Sequence, residues 1–155
     1  MKSIAIKFEL CNGGVPLKQA HFGDAGLDAY SNMDTVIKAG ERAVVSLGVK
    51  VELPLGYVLQ VCPRSGLAAK NGITVLNSPG IVDHGYRGEI QAIVINHGDE
   101  DLIVERHQTR MCQFVIQEIP HVNVEYGTVD PDTSRSDGKF GSSGGMGKKE
   151  AAISF

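Results

Sequence analysis

Ile73-Thr-Val-Leu-Asn-Ser-Pro-Gly-Ile-Val-Asp-His-Gly-Tyr-Arg-Gly-Glu-Ile-Gln-Ala-Ile-Val-Ile95 runs from one apolar segment to another through a centre rich in turn formers. Pro79-Gly80 and His84-Gly85 each supply a turn, because proline presets one backbone angle and glycine accepts the positive ones. The pattern is strand, turn-rich segment, strand, with Asp83 near the tip of a hairpin. Loops held by a rigid sheet carry function more often than the sheet does. Taken alone, however, the segment reads better as an ordinary loop with an Asx-turn at Asp83.

Outward from this hairpin the same grammar repeats. Ile4, Ile6, Phe8 and Leu10 alternate with Ser3, Ala5, Lys7 and Glu9, which predicts a strand with one buried face. Val45, Leu47, Val49 and Val51 alternate within the run Ala43 to Leu53, and Pro54-Leu-Gly56 reverses the chain into Tyr57 to Cys62. Leu102 to Glu105 and Met111 to Ile119 predict two more strands. Only Leu67-Ala-Ala-Lys70 favours helix, for one or two turns, with Ser65 placed to cap it and Asn71-Gly72 to end it. Many short strands joined by glycine and proline turns predict a closed or sandwiched all-β domain.

The 155 residues suit one domain, expected over 1–126. A net charge of −3 gives no basic surface for nucleic acid, and no apolar run approaches the ~20 residues needed to span a bilayer. The charged N-terminal strand does not read as a signal peptide. Cys11, Cys62 and Cys112 have no zinc or redox spacing and read as reduced cysteines of an intracellular, cytoplasmic protein, the last two in the core. Residues 127–155 change in character. Few large apolar side chains remain, so a mobile glycine-rich arm is expected. It carries Arg135-Ser-Asp-Gly-Lys-Phe-Gly-Ser-Ser-Gly144, whose bare N–H groups and hydroxyls suit phosphate oxygens.

Together the pieces describe phosphate chemistry. Ser65 with the N–H groups after it, Arg110, Gln113 and the arm are phosphate-compatible. Asp83 is a candidate base for a water. Tyr86 could lie against a sugar, and Phe140 could stack on a base. Asp24 and Asp28 could orient a magnesium ion through its water shell, since magnesium keeps several waters and is held largely by substrate phosphates. Arg64 and Arg87 read equally well as members of ion pairs.

Five ordered blocks resemble those of the trimeric deoxyuridine triphosphatases (dUTP diphosphatases). They are Asp24-Ala-Gly-Leu-Asp28-Ala, Pro63-Arg-Ser-Gly-Leu-Ala68, Gly80-Ile-Val-Asp-His-Gly-Tyr-Arg-Gly-Glu89, Arg110-Met-Cys-Gln-Phe-Val115 and the arm block Arg135 to Gly144. The resemblance implies a jelly-roll-like β-barrel, a homotrimer with sites shared between chains, and hydrolysis of dUTP to dUMP and diphosphate with Mg2+. That reaction limits uracil incorporation into DNA and supplies dUMP for dTMP synthesis. By the same resemblance Asp83 activates the water that attacks the α-phosphorus. Tyr86 closes against the deoxyribose, while Asn77 and hairpin backbone around Gly80 read uracil. Arg64, Ser65, Gly66, Arg110 and Gln113 lie along the phosphates. Phe140 stacks on the base, with Arg135, Gly141, Ser142 and Ser143 closing over the γ-phosphate.

Several positions depart from the family pattern. Gln108-Thr109 stand for a usual Gly-Asp, Cys112 for alanine, Ala29 for leucine, Lys139 for glycine and Ser143 for threonine. Two alternatives use the same fold. A dCTP deaminase would carry a glutamate ten residues beyond the hairpin aspartate, where this chain has Ile93. A nucleotide-sensing regulatory protein would not need Asp83, Tyr86 and Phe140 together.

Overall fold

The computed structural model describes residues 3–134. The chain divides into two compact units, Met1–His121 and Val122–Phe155. In the described part of the second, Asp132 N–H donates to Asp130 Oδ1 at 2.9 Å and Thr133 N–H to Pro131 O at 2.9 Å, forming a short turn.

The first unit contains eleven strands and one helix, in the order β1 (Lys7–Leu10), β2 (Gly26–Tyr30), β3 (Thr35–Ile37), β4 (Arg42–Ser46), β5 (Val49–Glu52), β6 (Tyr57–Cys62), α1 (Ser65–Asn71), β7 (Ile73–Val75), β8 (Gly80–Val82), β9 (Gln91–Asn96), β10 (Leu102–Val104) and β11 (Arg110–Glu118). Every pairing is antiparallel. Two larger sheets, β2-β11-β6-β8 and β4-β9-β7, are accompanied by the pairs β1-β5 and β10-β3. This is the all-β, jelly-roll-like architecture expected from the sequence.

The inward faces meet in one core. Phe114 of β11, Leu59 and Val61 of β6, Val94 and Ala92 of β9 and Val45 of β4 are all buried. Phe8 of β1 stacks on Phe114 with centroids 6.5 Å apart. Asn96, fully buried, donates to Ile37 O and Glu100 O and accepts from Gly98 N–H, so the turn after β9 has its polar groups satisfied.

The predicted hairpin does pair, with Ile73 opposite Asn96 and Val75 opposite Val94. Its tip is more than a loop, because Gly80–Val82 leaves the β7-β9 ladder and adds a strand to β6 in the other sheet. The run 43–53, read as one strand, is two. Val45, Leu47, Val49 and Val51 are all buried, as their alternation predicts. Gly48 breaks the backbone between them at φ +67, so β4 pairs with β9 and β5 with β1. Along the N-terminal segment only the middle of the apolar face packs inward, and Ile4 and Leu10 stay exposed.

The short helix ends at Gly72, φ +67, as its sequence predicts. Its start differs. Arg64, in extended conformation, holds the N-cap position and makes no side-chain cap bond, so Ser65 is the first helical residue. The Ser65 hydroxyl is therefore not spent on capping the helix. Of the two cysteines assigned to the core, Cys112 is fully buried and Cys62 only half-buried. Among the described residues no helix is long and apolar enough to cross a membrane.

Candidate functional site

Strands β2 and β11 build the floor of an open cleft of about 380 Å³. Alternation on β2 puts Gly26, Asp28 and Tyr30 on one face, and β11 registers Gln113 opposite Asp28 and Arg110 opposite Tyr30. An irregularity between Arg110 and Cys112 shifts the register just where Arg110 must reach the cleft. Arg64, Ser65 and Gly66, from the end of β6 and the start of α1, line the other side. Seven predicted residues thus meet here: Asp24, Asp28, Arg64, Ser65, Gly66, Arg110 and Gln113.

Asp28 is the organising group. Its Oδ1 accepts Arg64 Nε at 2.9 Å, and its Oδ2 accepts Arg110 Nη1 at 3.2 Å and Arg64 Nη2 at 3.5 Å. Arg64 Nη1 also donates to Arg110 O at 3.3 Å. Arg110 Nε donates to Tyr30 Oη at 3.2 Å, and its guanidinium lies 5.8 Å from the Tyr30 ring centroid. The Tyr30 hydrogen bond, followed by the Asp28 charge, pushes the Arg110 pKa still higher. Two guanidinium groups are therefore locked in orientation by one nearly buried carboxylate.

The assignment of Asp28 to magnesium, through its water shell, meets a carboxylate that is already ion-paired. Both of its oxygens accept guanidinium N–H groups, whose positive charge disfavours direct coordination of a cation. Asp24 Oδ2 is likewise taken, by His21 N–H at 2.9 Å. Among the described residues no group of three or more His, Cys, Asp or Glu could hold a metal ion.

Gln113 is held by a bond from Nε2 to Pro63 O at 2.9 Å. Its Oε1 rests over Gly26, where a Cβ would stand 2.2 Å away, so the glycine of the first block clears the space for this amide. The departures at Gln108-Thr109 are accommodated locally. Glu105 N–H donates to Thr109 Oγ1 at 2.9 Å, and Gln108 and Thr109 N–H return to Glu105 O, closing the turn before Arg110.

The hairpin group lies elsewhere on the chain. Asn77, Gly80, Asp83 and Tyr86 all belong to the segment around β8, and none lines the Asp28 cleft. Tyr86 instead borders a separate hollow of about 330 Å³, shared with Val44, Ile81, Glu89, Ile90 and Ile93. The Asx-turn reading of Asp83 does not hold. The turn is closed by Tyr86 N–H donating to the main-chain oxygen of Asp83, at 3.1 Å. The carboxylate is exposed, and among the described residues no hydrogen bond or ion pair engages it. His84 Nδ1 lies 2.6 Å from Leu53 O, anchoring the tip to the β5–β6 turn. Arg135, Phe140, Gly141, Ser142 and Ser143 lie outside the described residues.

Sequence reasoning missed Tyr30, whose signal was its period-two spacing from Asp28. It also missed Glu89, whose carboxylate accepts from Ser46 Oγ, from Gly48 N–H at 2.9 Å and from Asn12 Nδ2 at 2.8 Å. Burial raises the Glu89 pKa, but the bonds from Ser46, Gly48 and Asn12 and the nearby Lys50 charge outweigh it and hold the carboxyl below its ordinary value.

Known proteins share this plan. The dUTPase family model matches residues 15–144. The deoxyuridine 5'-triphosphate nucleotidohydrolase of Clostridium acetobutylicum is 51% identical over 125 residues, covering 81% of this chain and 86% of that protein. Among solved structures, a mutant dUTPase of Staphylococcus bacteriophage 80alpha with dUpNHpp is 24% identical with a TM-score of 0.80, covering 92% of this chain and 99% of that one. A mutant dUTPase of phage phi11 of S. aureus, in which a structural Mg(II) ion is coordinated, is 21% identical with a TM-score of 0.71, covering 80% and 97%. With a family match over most of its length and 51% identity over 125 residues to a curated relative, the chain belongs to the dUTPase family.

Proposed function

We propose that this chain hydrolyses dUTP to dUMP and diphosphate, with Asp83 as the base. The observation that carries the reading is the Asp83 carboxylate, left unengaged by its own turn on a loop shared with Tyr86 and Asn77. Asp83 takes a proton from water, whose oxygen bonds to the α-phosphorus. The α-phosphorus to bridging-oxygen bond breaks, and its electron pair leaves with diphosphate. Arg64, Arg110, Ser65, Gly66 and Gln113 bind and orient the phosphates, because prearranged N–H donors stabilise charge that grows in the transition state. Asn77 and the backbone near Gly80 read uracil, and Tyr86 lies against deoxyribose.

The two residue groups occupy separate clefts of one chain, so the complete site forms between subunits of a homotrimer. Val36 and Ile103, direct cross-strand partners, leave apolar surface exposed, which suits subunit contact. The Asp28 cleft holds two guanidinium groups against the carboxylates of Asp24 and Asp28. It is close to charge-balanced and does not by itself neutralise a triphosphate. Mg2+ carried by the phosphates would supply positive charge that this cleft lacks, and Arg135, from the block over 135–144 that also holds Phe140, Gly141, Ser142 and Ser143, would add to it. The nucleotide substrate and three free cysteines suit an intracellular, cytoplasmic setting.

The test is a panel of dUTP, dCTP, dTTP and UTP with magnesium, read as diphosphate and ammonia release. Diphosphate from dUTP alone is expected. Ammonia from dCTP would overturn the reading; Ile93, at the position where a deaminase carries glutamate, argues against that outcome. Asp83→Asn is expected to keep dUTP affinity and to lose at least about a hundredfold in kcat. Near-normal turnover would remove Asp83 as the base.

A further inference from the structure

Tyr86 is not a free side chain at a loop tip. Its hydroxyl donates to the main-chain oxygen of Glu89 at 2.8 Å. Its ring folds back over Gly88, where a Cβ would stand 2.5 Å from the phenol oxygen and 2.7 Å from the ring carbon that bears it. Any residue but glycine at 88 would therefore collide with the ring as placed. Glu89 is in turn fixed by three donors on two other segments, Ser46 and Gly48 at the β4–β5 corner and Asn12 after β1. The acceptor that orients the phenol is thus tied to the sheet rather than to the loop.

We infer that Gly88 and Glu89 are positioning residues that set sugar selectivity, Gly88 by leaving room for the folded-back ring and Glu89 by fixing the oxygen that holds it. The inference rests on the reading that Tyr86 lies against the deoxyribose. A wall excludes a 2′-hydroxyl only if it cannot retreat. Tyr86 is 46% exposed, so apart from the Glu89 bond and the fold over Gly88 it has room to swing outward. The same exposure makes Gly88→Ala informative, since the new methyl meets the far end of a movable side chain and the backbone need not shift.

The experiment measures kcat/KM for dUTP and for UTP with wild type, Gly88→Ala, Glu89→Ala, Glu89→Gln and Tyr86→Ala. Gly88→Ala and Glu89→Ala are expected to lower the dUTP-to-UTP ratio about tenfold, chiefly by raising UTP turnover. Glu89→Gln, whose amide oxygen can still accept from Ser46 and Gly48, should keep most of the ratio. A merely structural role would lower both substrates together and leave the ratio intact, and that result in Gly88→Ala overturns the inference. If Glu89→Ala does not fold, Gly88→Ala alone decides. Relaxation in Tyr86→Ala without relaxation in Gly88→Ala would sink the positioning role and spare the reading of Tyr86. Continued rejection of UTP by Tyr86→Ala, or no diphosphate from dUTP with wild type, would overturn both.

Discussion

Cys112 and Ala29 are direct cross-strand partners on β11 and β2, and both are fully buried. Both also depart from the family pattern, in opposite senses of size. A larger residue replaces alanine on one strand, and a smaller one replaces leucine on the other. In a close-packed interior such a pair acts as one filled volume. Ala29→Leu alone is expected to cost about 1–3 kcal/mol by overpacking, and Cys112→Ala alone about 1 kcal/mol by the void it leaves. In the double variant the two should be less than additive by roughly 1 kcal/mol, as measured by denaturant unfolding. Strict additivity would show that the two residues fill separate spaces. Cys112 carries a second expectation. Burial first, then the neighbouring Cys62 and Asp28 charges, pushes its thiol up to about 12. The unfolded thiol ionises near pH ~8.5, so stability is intact below that value and falls as pH rises toward 12. Cys112→Ala should flatten the stability decline between about pH 8.5 and 10.5 relative to wild type.

The elements show which features a sequence pattern can carry. Alternation at Val45, Leu47, Val49 and Val51 identified the buried residues correctly, because burial depends on local period. It did not reveal that the run divides between two sheets. The signal was Gly48, a buried position on the face opposite the apolar residues, whose meaning depends on a distant segment. A Cβ there would stand 2.5 Å from Gly14 Cα and 2.8 Å from the Asn32 side chain. Strand β8 was hidden for the same reason, because Gly80–Val82 is a strand only through its partner β6. Grouping was legible for the phosphate-compatible residues, since Arg64, Ser65, Gly66, Arg110 and Gln113 do line one cleft. The pattern gave no sign that Asp28 would pair with two arginines 36 and 82 positions away. Gly48→Ala tests the corner. Left-handed backbone strain and the approach to Gly14 should together cost about 2–4 kcal/mol, lowering Tm by on the order of 10 °C. A loss within a degree or two would mean that the corner can open without disturbing either sheet.

At the scale of the whole molecule, one chain presents two separate groups of candidate site residues. Asp83 and Tyr86 lie on the β8 loop, and Gln113 and Arg110 lie in the Asp28 cleft, with no lining residue in common between the two hollows. If these groups serve different sites of a trimer, two inactive variants should complement each other. Asp83→Asn destroys every hairpin half in its own trimer and keeps the phosphate cleft. Gln113→Ala impairs every cleft and keeps the hairpin. Co-refolding equal amounts mixes the chains, and an intact site then forms wherever a Gln113→Ala hairpin faces an Asp83→Asn cleft. Random assembly makes roughly a quarter of the sites intact. Diphosphate release from dUTP should therefore recover to about that fraction of wild type, while each variant refolded alone stays low. A site contained within one chain predicts no recovery at any mixing ratio, because every chain in the mixture carries one lesion. Recovery that rises and falls with the product of the two chain fractions would further identify the pairing as one between different subunits.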